Sequence, residues 1–174
     1  MIEIDFKKIE LEDKDLITHY FMHHTSRSCE RTFVNVYLWA RFYHVKFAEV
    51  EHTLVFRTED EEGFSFAYPA GEPENVKKAL DVLMVYSKER GVPFLMYTVT
   101  PDNFEYLEKW YPGRFEIEYV EGDADYVYES EKLATLSGKK LHSKRNHVNK
   151  FKIVYADRWS YEPISEDNLE ECVQ

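Results

Sequence analysis

Apolar side chains recur at helical spacing in three parts of the chain, and a capping signal predicts a fourth helix. Within residues 12–24, Leu16 and Tyr20 lie one helical turn apart with apolar neighbours beside them, which predicts an amphipathic helix. The same spacing predicts helices over residues 31–43 and 74–90. Thr100 followed by Pro101 is a cap with proline in the first turn, which predicts a fourth helix over residues 100–110. Gly91 comes directly after the third stretch and is a good helix stop. These four stretches are the predicted helical part of the first domain.

Short alternating or aromatic-rich runs lie between the predicted helices. Three of them follow one another at residues 45–51, 53–58 and 64–68, separated by charged or glycine-containing turns. Such a series predicts an antiparallel meander. The run PFLMYT, residues 93–98, predicts a buried strand, and two further strand candidates are 115–120 and 123–128, joined by Glu121-Gly122. The pattern therefore predicts a mixed α and β domain.

After residue 128 the sequence again predicts helices followed by a strand. Residues 129–136 and 139–151 have helical patterns that meet at Gly138. Residues 152–155 are strand-like, and Pro163 and Ser165 precede a predicted helix start. We expect one domain followed by the opening of a further unit, so that the chain is a fragment of a longer protein.

Composition narrows the class of protein. The 174 residues are 44% hydrophobic and include 13 Tyr and 12 Phe, enough for an aromatic core. A net charge of −11 argues against a surface that coats nucleic acid or anionic membrane as a whole. Cys29 and Cys172 are far apart, which favours reduced thiols. With no signal peptide and no uncharged run of membrane-spanning length, we expect a soluble cytoplasmic protein without a transmembrane segment.

Between residues 138 and 152 this acidic chain becomes basic, and we call this stretch the basic segment. It holds six cations and no carboxylate: Lys139, Lys140, Lys144, Arg145, Lys150 and Lys152. On a helix, Leu141 and Val148 lie on nearly the same side, with Lys144 or Arg145 between them. A buried apolar side would therefore bring a cation to its edge, where a carboxylate, a carbonyl or a ligand anion must pair with it.

Three interpretations of the basic segment stay open. Lys144 and Arg145 could pair with carboxylates of the acidic chain, as a purely structural arrangement. The segment could instead receive phosphate from an RNA backbone, a lipid head group or a nucleotide cofactor, with Asn146 and Asn149 as amide donors. An interface with another domain is the third interpretation.

A polar loop and an aromatic strand provide further candidates for a cleft. Arg27, Cys29 and Glu30 precede an aromatic helix, and Cys29 would need a neighbouring base to act as a nucleophile. Tyr126 and Tyr128 would share one face of the predicted strand 123–128, either as packing or with their phenol groups toward a cleft. For each group the structural role is the default interpretation.

Metal and cofactor motifs are weak in this sequence. His19 and His23 have the spacing of a helical metal pair, but no second ligand pair accompanies them, so we expect no metal site. The phosphate-cradling Arg/Gln-x-x-Gly-x-Gly/Ala loop of acetyl-CoA-dependent acyltransferases is missing. The nearest glycine turn, Pro69-Ala70-Gly71, is expected to be an ordinary loop, so that this chain binds no cofactor by itself.

Two sequence motifs resemble a known family. The stretch ADYVYESEKLATLSGKKLHSKRNHVNKF, residues 124–151, looks like the signature of the bacterial family related to the C-terminal domain of phosphatidylglycerol lysyltransferase. The stretch SCERTFVNVYLW, residues 28–39, is similar to the opening motif of that family. The order and spacing of elements agree over nearly the whole chain.

The resemblance implies an α+β, GNAT-like fold with a mixed, largely antiparallel sheet flanked by helices. Two such units in tandem form the family fold, so residues 1–151 would be the first unit and residues 152–174 the truncated start of a second. Characterised relatives transfer an aminoacyl group from tRNA to a membrane lipid. The implied partners are the second half of the same chain and tRNA, with aminoacyl-tRNA or acyl-CoA as donor for the full-length protein.

The sequence thus supports two functional hypotheses. The first is the amino-terminal half of a tandem GNAT-like acyl or aminoacyl transferase, inactive alone, in which residues of the basic segment contact the anionic donor or link the halves. The residues concerned are Lys139, Lys140, Lys144, Arg145, Asn146 and Asn149. The second is a non-catalytic module that binds RNA or protein through residues 139–152. No residue is identified as the general base.

Overall fold

The computed structural model describes residues 1–22, 28–61 and 63–173, and the chain divides into two compact units. The first unit is Met1–Asp125 and the second is Tyr126–Gln174. The two units are defined by how compactly each is packed, which does not test where one repeat ends and the next begins. The predicted boundary between repeats at residue 151 stays a prediction.

A five-stranded sheet is the centre of the first unit, with its strands in chain order from one edge to the other. The strands are β1 (Lys7–Lys8), β2 (Lys46–Val50), β3 (Thr53–Asp60), β4 (Gly63–Ala67) and β5 (Met96–Tyr97). The first four pair antiparallel, whereas β4 and β5 pair parallel. The predicted meander is confirmed. β1 was not predicted, because two consecutive lysines show no apolar alternation.

Four helices complete the first unit, close to where the sequence predicts them. They are α1 (Lys14–Met22), α2 (Phe33–Trp39), α3 (Pro73–Arg90) and α4 (Pro101–Trp110). The side chain of Thr32 accepts a hydrogen bond from the Asn35 N–H and so caps α2, which begins later than predicted. Gly91 ends α3 in the left-handed conformation, at φ 69°.

Alternation along β3 divides the hydrophobic core between the two faces of the sheet. Leu54 and Phe56 point into a cluster that also contains Ile17 of α1, whereas Val55 points into a cluster with Leu83 of α3. A third cluster joins α3 and α4 through Leu80, Leu107 and their aromatic neighbours. Helices thus cover both faces of the sheet.

Three strand predictions are wrong or too long. β5 pairs with β4 over Met96 and Tyr97 only, and not over the whole of residues 93–98. Residues 115–120 form no strand, and in the second candidate, 123–128, residue 123 ends a short 3-10 helix, Glu121–Asp123, while residues 124–128 form no strand. Ile117 and Tyr119 are exposed, so their alternation does not correspond to a buried face.

The second unit contains two helices, α5 (Ser130–Thr135) and α6 (His142–Tyr155). Short 3-10 helices, Lys139–Leu141 and Leu169–Cys172, precede and follow α6. The predicted strand at residues 152–155 is wrong, because these residues form the last turn of α6. The Ala156 N–H donates to the Lys152 carbonyl at 3.0 Å, and the rings of Phe151 and Tyr155 pack at 4.8 Å, one helical turn apart.

The predicted α+β, GNAT-like fold is confirmed by this mixed sheet and its flanking helices. Within the described part of the chain, every helix is too short or too polar to cross a membrane.

Candidate functional site

Arg145 of the basic segment has a structural role. Its guanidinium donates to the carbonyl of Leu136 and, at 3.1 Å, to the carbonyl of Gly138. These carbonyls follow the end of α5, where the chain turns with Leu136 at φ 50°. Arg145 therefore satisfies backbone acceptors at a helix end, and the partner of this cation is a carbonyl group.

The other cations of the basic segment are exposed. Lys139 and Lys140 lie in the 3-10 helix before α6, and Lys144, Lys150 and Lys152 lie on α6 with Asn146 and Asn149. Among the described residues, no carboxylate lies at ion-pair distance from any of them. Leu141 is half-buried, but Val148 is exposed, so the predicted buried side is only partly realised. Phosphate binding by this segment stays a prediction.

Of the other predicted candidates, only Cys29 and Glu30 lie at a cleft. They belong to a 3-10 turn, Cys29–Arg31, in which the Ser28 side chain accepts the Glu30 N–H. Tyr126 and Tyr128 lie in the second unit, are exposed and are not part of a strand. Arg27 lies outside the described residues, as does His23, the second histidine of the weak His19 and His23 spacing, so the expectation of no metal site there is not tested.

The environment of Cys29 does not favour a thiolate. Its backbone N–H donates to the Asp125 carboxylate at 3.2 Å. The side-chain hydrogen bond to Asp125, together with burial, raises the pKa of the Cys29 thiol, and the same bond lowers the pKa of Asp125. A protonated thiol is a poor nucleophile, so this geometry argues against covalent catalysis by Cys29.

The cleft lies between the 28–31 turn, α2 and the ends of β3, β4 and β5, all within the first unit. It encloses about 570 Å³. Its aromatic walls are Phe21, Trp39, Tyr43, Phe56 and Tyr97. Its polar groups are Cys29, Glu30, Arg31, Asn35, Thr58, Ser65 and Thr98. A mainly apolar cavity with a few convergent polar groups is typical of a small-molecule site.

Arg31 is the cation of this cleft. One guanidinium N–H donates to the Tyr68 carbonyl at 2.8 Å, and the guanidinium lies 5.7 Å from the centre of the Phe21 ring. Burial lowers the pKa of Arg31, and the nearby Glu30 carboxylate opposes this effect. Among the described residues no carboxylate reaches ion-pair distance of the guanidinium.

The cleft opens where β4 and β5 separate. The Tyr68 N–H donates to the Tyr97 carbonyl at 3.1 Å, and beyond this bond Ala70 pairs with Leu54 while Thr98 turns away at φ 54°. A positive φ is strained for a β-branched residue. The Thr98 hydroxyl is buried and has no hydrogen-bond partner in the described part of the protein. Backbone strain and an unpaired buried hydroxyl are features that cluster at functional sites.

Tyr97 stands beside Thr98 and is held in place. Its hydroxyl shares a 2.7 Å hydrogen bond with the Thr58 hydroxyl. Burial raises the pKa of Tyr97, while the bond from Thr58 opposes this effect, so the phenol stays neutral at physiological pH. The pair forms a fixed polar strip on the strand side of the cleft.

A second cavity of about 670 Å³ lies between the start of α3 and α4. Its lining includes the carboxylates of Glu72, Asp102 and Glu105 against the single cation Lys109. In the adjacent glycine turn, the Ala70 N–H donates to the Leu54 carbonyl at 2.9 Å. This turn therefore has a packing role, and a pyrophosphate in this cavity would meet several carboxylates.

Sequence reasoning did not single out Arg31, Tyr97 or Thr98. Arg31 lies in the motif SCERTFVNVYLW but was assigned to the start of a helix, and Tyr97 and Thr98 were assigned to a buried strand. The only available signal was a basic residue directly before an apolar helix. Because the left-handed conformation of Thr98 arises from the separation of two strands, no local pattern indicates it.

Comparison with known proteins gives one family and two relatives. The profile of the family described as phosphatidylglycerol lysyltransferase, C-terminal, matches residues 22–174. A crystal structure of a conserved protein of unknown function from Bacteroides thetaiotaomicron is 35% identical, with a TM-score of 0.87, over 98% of this chain and 57% of that one. An uncharacterized protein of Mycoplasmoides gallisepticum is 41% identical over 44 residues, 25% of this chain and 14% of the relative. The chain thus spans a little over half of the length of the solved relative.

Proposed function

Because the chain belongs to the phosphatidylglycerol lysyltransferase C-terminal family, we propose that it is the amino-terminal half of a tandem GNAT-like acyl or aminoacyl transferase. In this proposal the cleft beside Arg31 binds one of the substrates. The observation that carries it is the separation of β4 and β5 after Tyr97, which opens an aromatic cleft containing Arg31 and an unpaired Thr98 hydroxyl.

The transfer reaction requires only binding and orientation of a substrate from this half. An amine or hydroxyl of the acceptor attacks the acyl carbon of an ester or thioester, the new C–N or C–O bond forms, and the tRNA hydroxyl or the CoA thiol leaves with the proton. Fixed N–H donors stabilise the oxyanion of the intermediate. With its Cys29 thiol held protonated, the cleft contributes binding and orientation, and the remainder of a tandem protein completes the site.

The acid-lined cavity at the start of α3 favours binding of the two substrates by different halves of the protein. Carboxylates at Glu72, Asp102 and Glu105 oppose a bound pyrophosphate there. We therefore assign the anionic donor to the other half of the protein, and to this half the role of holding the smaller substrate.

A second candidate function is RNA binding by the basic segment. It is favoured by the exposure of Lys139, Lys140, Lys144, Lys150 and Lys152, for which the described residues provide no carboxylate partner. Exposed lysines on α6 and on the 3-10 helix before it are suited to phosphate contacts. This role is an alternative to the first assignment, because it brings an anionic partner to this half of the protein.

The transferase proposal is tested by comparing this chain with the protein translated from its full reading frame. Both are incubated with radiolabelled aminoacyl-tRNA or acyl-CoA and a mixture of amine acceptors. We expect transfer by the longer protein only, reduced about tenfold or more by Arg31→Gln and unchanged by the exposed control Arg41→Gln. Turnover by this chain alone would refute its inactivity, and no transfer by the longer protein from either donor would refute the proposal.

A further inference from the structure

The ligand class of the cleft follows from its charge and its walls. We infer that the cleft binds an apolar monocarboxylate of amino-acid size. Its carboxylate pairs with Arg31, and a polar group of the ligand next to that carboxylate forms a hydrogen bond with the Thr98 hydroxyl. This inference rests on the proposed function for the location of the site, and it deepens that function by naming the substrate class.

The first step concerns the donors of Arg31. A guanidinium has five N–H donors in a planar fork that matches a carboxylate. One N–H of the guanidinium donates to the Tyr68 carbonyl, and the guanidinium forms no other hydrogen bond to the described residues. Donors left beside an open cleft, on a cation that has no carboxylate partner among the described residues, are suited to a ligand anion.

The second step limits the charge of the ligand to one. Arg31 is the single cation in the described lining of the cleft, and Glu30 contributes one negative charge. Asp125, bonded to the Cys29 N–H, adds a further carboxylate at the same turn. A dianion such as a phosphate monoester would therefore keep an unpaired charge near two carboxylates, whereas a carboxylate can be neutralised by Arg31.

The third step defines the body of the ligand. Phe21, Trp39, Tyr43 and Phe56 provide flat apolar walls around a volume of about 570 Å³. A small polar acid would leave these walls in contact with water, whereas an aromatic or branched aliphatic body would fill the cavity. The ligand is therefore an amphiphile with a single negative end.

The fourth step concerns Thr98. Its hydroxyl has no partner among the described residues although it lies at the cleft, and its backbone stays in a strained conformation. A buried hydroxyl without a partner is unfavourable until a ligand group bonds it. The hydrogen bond between the Tyr97 and Thr58 hydroxyls holds the residue before Thr98 in place.

The experiment compares an acid with its neutral amide. N-acetyl-L-phenylalanine, its amide and phenyl phosphate are titrated against the 174-residue chain by isothermal calorimetry. We expect the acid to bind about tenfold or more tightly than the amide, since a charge-assisted bond is lost with the amide. Arg31→Gln should abolish this preference, Arg31→Lys should keep part of it, and the exposed control Arg41→Gln should leave it unchanged.

A second variant separates binding from folding. Thr98→Val keeps the β-branched shape and removes the hydroxyl, so we expect affinity to fall about twofold to tenfold while the urea midpoint stays equal or rises. A lower midpoint with unchanged affinity would assign Thr98 a purely structural role and overturn its part in the proposal. If Arg31→Gln fails to fold, the carboxylate site is tested by the preference for acid over amide in the wild type and in Arg31→Lys.

The other outcomes are also distinguishable. Equal binding of acid and amide, or a preference that persists in Arg31→Gln, would overturn the carboxylate site. Tighter binding of phenyl phosphate than of the acid would replace it with a phosphate site. Transfer activity without acid preference would refute this inference alone, whereas acid preference without transfer by the full-length protein would refute the proposed function alone.

Discussion

At the residue scale, Asp13 shows how the partners of a buried group set its ionisation. It is 6% exposed, yet it is an anion, because Lys7 donates to it at 2.5 Å and the Glu10 N–H at 3.0 Å. Burial alone would raise the pKa of Asp13, but these two donors outweigh burial and lower it. The carboxylate fixes the turn that leads from β1 into α1.

Replacing Asp13 should therefore lower stability in a pH-dependent way. A depressed pKa stabilises the folded state above the unfolded value of about 3.9, and this contribution is lost as pH falls through the folded pKa. We expect Asp13→Asn to lower the free energy of unfolding by about 1–3 kcal/mol at pH 7 in urea titrations. Asp5→Asn, an exposed carboxylate, is the control. A deficit that stayed constant down to the lowest pH at which the wild type folds would contradict this account.

At the element scale, tight packing between the glycine turn and β3 explains why glycine occupies position 71. A Cβ at Gly71 would lie 2.8 Å from the Thr53 Cγ2 and 3.2 Å from the His52 carbonyl oxygen. Thr53 is fully buried, and its hydroxyl donates to the Val50 carbonyl at 2.7 Å. Glycine is therefore required at this position by space, without any ligand.

A pair of substitutions tests this packing. Gly71→Ala should destabilise the chain by about 1–3 kcal/mol through overpacking. Thr53→Ser removes the clashing methyl group and keeps the hydroxyl, so the double variant should recover about 1 kcal/mol or more relative to additivity. Gly122→Ala, which meets no atom within 4 Å, is the control. Additive effects in thermal unfolding would show that the two residues do not clash.

The elements also show what sequence patterns can and cannot predict. The helices and the meander were predicted because apolar spacing and caps such as Thr100 are local signals. Residues 115–120 and 152–155 have strand-like composition, but a strand needs a neighbour, and composition does not provide one. For the same reason the cleft was only partly predicted, since Cys29 and Glu30 stand out locally whereas Thr98 depends on how β4 and β5 separate.

At the scale of the whole molecule, charge is divided between the two compact units. Met1–Asp125 has 25 acidic and 14 basic residues, whereas Tyr126–Gln174 has eight of each. The entire excess of 11 negative charges therefore lies in the first unit. Within the second unit the basic segment precedes a mainly acidic stretch, so any attraction for RNA is local to α6 and the turn before it.

This segregation makes RNA binding by the basic segment a measurable prediction. If the exposed lysines contact phosphates, tRNA affinity should fall steeply with salt, and each lost contact should reduce the slope of log affinity against log salt by about 0.7–0.9. Lys144→Glu should weaken binding without loss of stability, whereas Arg145→Gln should lower the stability of the second unit by about 0.5–1.5 kcal/mol because carbonyl groups of the α5 end lose their donor.

The control for that experiment is Lys78→Glu, an exposed lysine on α3 with the same change of net charge. If Lys78→Glu weakened tRNA binding as much as Lys144→Glu, the attraction would depend on total charge and not on the basic segment. If the wild-type chain failed to bind tRNA even at low salt, the five lysines would have no RNA-binding role in this chain. Arg145 would then be the one cation of the segment with an identified function, which is to close the end of α5.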